Sequence, residues 1–282
     1  MRATSNLPAA SRPRGPRAFT LTELLVVIGI IGVLATASVP AIRSLSRTNT
    51  KAAGDRQMLD ELAYARQLAI NGHKTVYLVF VPPTMRGHFD TIRNELRHAE
   101  WARQLRQTTN LVNGQYTAYA LFSRRTVGDQ PGRQTPRYLT AWRHLPDGVL
   151  FRTNKFVDLG NQWSAMVKQV YGSQYTNYPL PYARFPFPAA DSPLMRLPYL
   201  AFDPFGKVLY EEGGYTTLQN DQQYAWLTLT RGSIFYPKSP QMKWAYDLQA
   251  APDVVETPRF NRTDIRVNWL TGRARVEEVK IQ

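Results

Sequence analysis

The chain has 282 residues, of which 43% are hydrophobic and 20% are charged, and its formal net charge is +14. This composition is that of an ordinary globular protein, which argues against wholesale disorder and against a transporter with many membrane spans. Cysteine is absent, so disulfide scaffolds, cysteine-ligated zinc and thiol catalysis are excluded.

The first eighteen residues form a short basic segment. Residues 1–18 carry four arginines, three prolines and no acidic residue, and they show no helical pattern. Residues 24–42 then contain no charged side chain, and a helix of that length spans about 28 Å, close to the hydrocarbon thickness of a bilayer. Because basic residues stay on the cytoplasmic side, we expect residues 1–18 in the cytoplasm, a transmembrane helix half at 19–42, and everything later outside the cytoplasm.

The helical pattern continues past the uncharged run. Apolar residues recur at steps of three, four and seven up to Ile70, and Gly72 is a suitable end, which predicts an amphipathic helix half at 43–72. Pro40 lacks a backbone donor and predicts a bend in this helix. Glu23 places a carboxylate at the membrane entrance, where it either binds a partner or is hydrated among the lipid headgroups.

The segment that begins the helix carries a family resemblance. Residues 18–34, AFTLTELLVVIGIIGVL, resemble the class III signal of type IV prepilins and pseudopilins. The resemblance implies that a prepilin peptidase cuts between Ala18 and Phe19 and methylates the new terminus, although the family usually has Gly where this chain has Ala18. It also implies assembly roles for Glu23, which would pair with the terminal amine of a neighbouring subunit, and for Pro40, at the usual place of a kinking proline.

Three later segments resemble one subgroup of that family, the GspH/FimT-like minor pseudopilins. They are the ARxxAI-like helix end within 62–70, the segment 200–206 and the segment 265–273. The subgroup resemblance implies a structural subunit of a type II secretion pseudopilus or of a type IV pilus-like fibre. Its partners would be the peptidase, other pilin or pseudopilin subunits and the lipid of the inner membrane.

The rest of the chain, 73–282, is predicted to be a β-rich head. Short runs rich in β-branched and aromatic residues are separated by turn signals, and no long helices alternate with them, which favours an antiparallel sheet. The predicted fold class is therefore α+β and pilin-like, with one long helix packed on an antiparallel β-sheet head. The predicted strands are 75–81, 116–123, 149–152, 224–230, 233–236, 264–270 and 273–281.

Two segments of the head look like irregular insertions. Residues 86–113 predict a short helix with Phe89, Ile92, Leu96 and Ala99 on one side. Residues 171–205 are rich in proline and aromatic residues, which predicts an irregular loop lying over the head.

The sequence gives no sign of catalysis. It has no nucleotide-binding or hydrolase motif, and its four histidines show no ligand spacing, so we expect no catalytic, cofactor or metal site. DNA is an alternative partner, because residues 86–145 hold ten arginines against four acidic residues, interleaved with aromatic residues that can stack on bases. The candidate contacts are Arg93, Arg97, Arg103 and Arg106. The favoured interpretation of this segment is a solvated face or a contact with acidic partner subunits, and residues 253–282, with six basic and five acidic side chains, add little net charge.

Overall fold

The computed structural model describes residues 20–95, 98–125, 135–160, 169–171, 174–210, 224–239, 247, 250–257 and 262–277, with the side chains of 35–49 left out. The chain forms two compact units, Met1–Thr48 and Asn49–Gln282. Helices and antiparallel sheets together make this an α+β protein.

The predicted long helix is confirmed. Helix α1 extends over Leu21–Asn71, within one or two residues of the predicted bounds. Its end differs in one detail, because His73 rather than Gly72 adopts the left-handed conformation, with φ of 46°. Among the residues that the structure describes, no helix is both long enough and apolar enough to span a membrane.

The head contains a central sheet of seven antiparallel strands. Strand β1 lies in its middle, with β2 on one side and β7 on the other, so that Leu78 faces Leu121 and Leu200 across the two ladders. Strand β6 pairs with β7, β8 also pairs with β7, and β3 and β4 pair with β2. The strands are β1 (Val76–Phe80), β2 (Ala118–Ser123), β3 (Arg137–Tyr138), β4 (Arg143–His144), β6 (Tyr182–Pro186), β7 (Leu194–Phe202) and β8 (Val208–Leu209).

A second sheet of five strands completes the head. It is ordered β10-β9-β11-β12, and β5 also pairs with β9. The strands are β5 (Val149–Phe151), β9 (Tyr224–Phe235), β10 (Asp253–Glu256), β11 (Thr263–Asn268) and β12 (Ala274–Glu277). The two strands predicted at 224–230 and 233–236 are one strand, because β9 stays extended while its partner changes from β11 to β5 and then to β10.

Hydrophobic clusters lie on both faces of the central sheet. Alternate residues of β1 point in opposite directions, so Leu78 and Phe80 join the cluster that contains part of α1 and the second sheet, whereas Tyr77 and Val79 join the cluster on the other face. All five residues of β1 are buried. This double burial explains why the strand has a continuous apolar sequence instead of an alternating one.

The segment predicted as the first insertion covers the second face of the sheet. It forms two helices instead of one, α2 (Arg86–Glu95) and α3 (His98–Asn110). The predicted apolar side is confirmed at Phe89 and Ile92, which are both buried. The side chains of Leu96 and Ala99 lie outside the described residues.

The prediction of an irregular loop over 171–205 is wrong, because residues 182–202 contain β6 and β7 of the central sheet. Proline usually disrupts a ladder because it cannot donate a hydrogen bond. Here β1 pairs only with the last four residues of β7, so Pro198 lies beyond that ladder, and Pro186 lies at the end of β6. The prolines therefore occupy places where the sheet does not require an N–H group.

The outer part of α1 is fixed to the head by a buried stripe and by polar contacts beside it. Met58, Leu62 and Ala65 are fully buried in the first cluster. Glu61 is 4% exposed and accepts a hydrogen bond of 2.5 Å from Arg143 on β4. Gln57 donates hydrogen bonds of 2.8 Å to the Tyr119 hydroxyl and to the backbone oxygen of His144.

Two turns meet the end of α1 at one point. In the turn at 203–206 the Gly206 N–H donates to the Asp203 oxygen, and in the loop of the β11–β12 hairpin the Gly272 N–H donates to the Asn268 oxygen. Arg66 donates a hydrogen bond of 2.7 Å from its Nε to the backbone oxygen of Thr271. The three segments that resemble the GspH/FimT subgroup, which lie far apart in the sequence, therefore converge on Arg66.

This junction requires glycine at position 272. Gly272 has φ of 62°, and a Cβ built there would lie 2.0 Å from the backbone oxygen of Gly206. We expect Gly272→Ala to lower the free energy of unfolding of the head by about 2–4 kcal/mol, since a left-handed residue with a Cβ costs about 1–2 kcal/mol and the backbone contact adds to it.

The matched control is Gly148→Ala, because Gly148 has φ of 77° but nothing within 4 Å of a built Cβ. Urea unfolding of the full-length chain, followed by fluorescence, should show a loss of only about 1 kcal/mol for this control. Equal losses in the two variants would contradict the close approach of the two turns.

Candidate processing and assembly site

The predicted cleavage site lies at the edge of the described chain. Ala18 and Phe19 fall outside the described residues, which begin at Thr20. Helix α1 starts at Leu21, so the helix begins two residues after the predicted cut.

Glu23 belongs to a capping box at the start of α1. Its Oε2 accepts hydrogen bonds from the Thr20 backbone N–H at 2.9 Å and from the Thr20 hydroxyl at 2.8 Å. The Glu23 N–H in turn donates to the Thr20 Oγ1 at 3.2 Å. Such reciprocal bonds satisfy backbone donors that have no partner in the first turn of a helix.

The capping box gives the exposed Glu23 carboxylate a local partner, Thr20, that the sequence analysis did not name. Hydration among lipid headgroups and pairing with a neighbouring subunit both stay predictions for Glu23. The pattern of Thr followed three residues later by Glu, ahead of an apolar run, is a known helix-start signal and could have been found in the sequence.

The first turns of α1 expose an unusually apolar surface. Every side chain from Leu21 to Leu34 is exposed, and Leu21, Leu25 and Val33 have exposed fractions of 80%, 66% and 69%. A helix that is apolar on all sides requires an apolar environment or partner surfaces that cover it. Cβ atoms built at Gly29 and Gly32 would meet nothing within 4 Å, so these positions leave room for the close approach of another helix.

Pro40 lies within the bounds of α1, as predicted. Its side chain belongs to the part of the helix that is not described. The bend at Pro40 and its role in assembly stay predictions.

Three of the six arginines of the basic segment whose side chains are described contact partners within the head. Arg103 forms an ion pair of 2.6 Å with Asp191, Arg143 binds Glu61, and the guanidinium of Arg124 lies 5.2 Å from the centre of the Tyr77 ring. Arg106 is exposed on α3. Arg97 and the side chain of Arg93 lie outside the described residues, so the grouping of the four predicted contacts stays a prediction.

An arginine-lined cavity occurs instead at the β11–β12 hairpin. Its volume is about 260 Å³, and Arg266 lies directly opposite Arg275 across the ladder. Glu277 neutralises part of this charge through an ion pair of 3.1 Å with Arg266. The small net charge of residues 253–282 does not indicate this group of arginines, because the group depends on the register of β11 and β12. The lining residues are Arg266, Asn268, Thr271, Arg273 and Arg275.

The junction at Arg66 is bordered by exposed apolar side chains. Phe205 is 79% exposed at the tip of one turn, and Leu270 is 50% exposed in the β11–β12 loop. Trp269, in the same loop, is 36% exposed, and its backbone oxygen accepts a hydrogen bond from Val208. A group of exposed apolar side chains like these three is typical of a surface that another protein covers.

Comparison with known proteins identifies the N-terminal segment. Residues 13–39 match the family model of the prokaryotic N-terminal methylation motif. No curated protein and no solved structure matches the chain significantly. The matched range contains the predicted processing residues Ala18 and Phe19, the capping box with Glu23, and the exposed apolar turns of α1. Residues 13–39 thus carry the prokaryotic N-terminal methylation motif, which indicates a type IV prepilin-like protein.

Proposed function

We propose that this protein is a structural minor pseudopilin of the GspH/FimT kind. It is processed by a prepilin peptidase and assembles into a type II secretion pseudopilus or a type IV pilus-like fibre. Its function is assembly and not catalysis. The methylation motif over residues 13–39 is the observation that carries this proposal.

The exposed apolar start of α1 supports assembly through this helix. Before assembly, residues 19–42 lie in the inner membrane as a single span, with the basic leader 1–18 in the cytoplasm and the head on the other side. Lipid covers the apolar side chains in that state, and the helices of neighbouring subunits cover them in the fibre.

Glu23 favours the correct register between neighbouring subunits when the helix passes from the membrane into the fibre. Cleavage leaves an amine on Phe19, and the Glu23 carboxylate of one subunit binds the Phe19 amine of its neighbour. An ion pair in a low-dielectric environment is favourable only when it is well formed, so subunits in the wrong register are disfavoured. The capping box holds the carboxylate at the helix start until the neighbour arrives.

The convergence at Arg66 supports the subgroup. The helix end, the turn at 203–206 and the hairpin loop at 271–272 are the segments that resemble GspH/FimT-like proteins, and they form one packed junction. A shared junction gives a physical reason for these three segments to occur together in one family.

The first test of the proposed function is the mature N-terminus. Mass spectrometry of the protein from membranes of the native host should find a chain that begins at Phe19 with a methylated amine. Ala18→Gly, which restores the residue usual in the family, should be cut at least as fast, and Ala18→Leu should accumulate uncut because small residues are needed at the cleavage site. A mature chain that begins at Met1, or one cut near Ser38, would falsify the prepilin interpretation.

The second test separates the charge of Glu23 from its capping role. Glu23→Gln keeps a side chain that suits a capping box but removes the charge, whereas Thr20→Ala keeps the charge and removes the cap at a cost of about 1 kcal/mol. If the charge binds a neighbour's amine, Glu23→Gln should be cut normally yet be lost from sheared fibres, and Thr20→Ala should still assemble.

The reverse pattern, with Glu23→Gln assembling and Thr20→Ala failing, would assign Glu23 to helix capping alone. Glu23→Ala removes both functions and sets the lower limit of assembly in the same fibre preparation. Immunoblots of the membrane fraction check that all variants are made in equal amounts.

A second candidate function is that of a DNA-binding minor pilin. The observation that favours it is the cavity at the β11–β12 hairpin, where Arg273 and Arg275 lie beside Arg266. Guanidinium groups neutralise phosphates, and the resulting affinity falls steeply with salt.

Duplex DNA titrated into the full-length protein tests this candidate. We expect weak binding at low salt that vanishes near 0.15 M, where the Debye length is about 8 Å, with equal small effects from Arg103→Gln/Arg106→Gln and from Arg273→Gln/Arg275→Gln. Binding that persists at 0.15 M and is lost only with Arg273 and Arg275 would instead establish DNA as the partner.

A further inference from the structure

An open groove lies between the start of α2 and the outer strands of the central sheet. Its volume is about 840 Å³, within the size range of pockets that enclose drug-sized ligands. Its apolar lining residues are Pro82, Pro83, Phe156, Leu194 and Met195. Leu194 is 59% exposed, so the groove presents apolar surface to solvent.

Two arginines face each other in this groove. Arg184 on β6 lies directly opposite Arg196 on β7, and both line the groove. Hydrogen bonds from Tyr199 N–H to the Pro181 oxygen and from Phe187 N–H to the Pro193 oxygen bracket the ladder. Hydrogen-bonded and non-hydrogen-bonded pairs alternate along an antiparallel ladder. Arg184 and Arg196 lie three positions from each of these bonds and therefore form a non-hydrogen-bonded pair, the arrangement in which opposite side chains are closest.

One carboxylate balances only one of these charges. Asp158 accepts hydrogen bonds from Nε and Nη2 of Arg196, at 3.0 Å and 2.9 Å. The side chain of Arg184 is exposed, and among the described residues it forms no hydrogen bond or ion pair. Like charges directly opposite each other destabilise a sheet, so stability alone gives no reason for Arg184.

We infer that this groove binds an acidic peptide segment of a partner protein. A carboxylate of the peptide binds Arg184 and completes the charge balance that Asp158 provides for Arg196. The apolar residue beside that carboxylate packs between the prolines and Leu194. The apolar walls favour a peptide over a free small anion, because a small anion would leave them uncovered.

The test uses the full-length protein in detergent micelles and a fluorescent five-residue peptide of alternating Glu and Leu, with anisotropy as the readout. Arg184→Gln should weaken binding about fivefold. Asp158→Asn should strengthen it, because the substitution removes a negative charge beside the site of the peptide carboxylate. Arg137→Gln is the matched control, since it removes an exposed arginine from β3, away from the groove.

Three results would overturn this inference. Equal weakening by Arg184→Gln and Arg137→Gln would reduce the binding to attraction by net charge. Equal binding of a peptide of alternating Gln and Leu would remove the role of the carboxylate. Complete competition by citrate at equal carboxylate concentration would make the groove a site for free anions and not for peptides.

Urea unfolding provides an independent check on Arg184. If Arg184 is retained for binding at a cost in stability, the Arg184→Gln variant should be at least as stable as the wild type. A less stable Arg184→Gln variant, with unchanged peptide affinity, would assign Arg184 to the fold.

Discussion

Burial of one stripe of α1 against the central sheet is the contact on which the head depends. Met58, Leu62, Ala65 and Ala69 follow helical spacing and are all fully buried, and burying each large apolar side chain contributes about 1.5–3 kcal/mol. The same turns carry the polar groups that bind neighbouring strands and loops, such as Arg66. Because the helix, the strands and the hairpin all pack at this stripe, a substitution at the end of α1 also affects contacts of residues about two hundred positions later in the sequence.

The two parts of α1 have opposite surface character, which suits a subunit that changes its surroundings. From Leu21 to Leu34 the helix is exposed and apolar, and it gains stability only where lipid or other helices cover it. Within the head, the helix buries one stripe and leaves polar residues such as Arg56 and Asp60 exposed. In the proposed function, one end of this helix is the anchor and the assembly element, while the other end supports the folded head.

Net charge proved a poor guide to the basic surface of this protein. Of the arginines that are clustered in the sequence, three bind Asp191, Glu61 and the face of the Tyr77 ring within the head. Arginines that are scattered in the sequence are instead paired across ladders, Arg184 with Arg196 and Arg266 with Arg275. Strand register therefore decides where positive charge is concentrated, and a sum over a segment cannot reveal it.

The sequence by itself determined the long helix, the antiparallel β-rich head and the N-terminal motif, because each depends on local periodicity or on a few adjacent residues. It also contained the capping box of Thr20 and Glu23, whose partners are three residues apart. The place of β6 and β7 in the sheet, the unbroken β9 and the junction at Arg66 were decided only by the tertiary structure. In each case the deciding contact joins residues far apart in the chain. The ladder with β1 begins only at Tyr199 of β7, after Pro198, and β10 continues the ladder of β9. Thr271 accepts the hydrogen bond of Arg66.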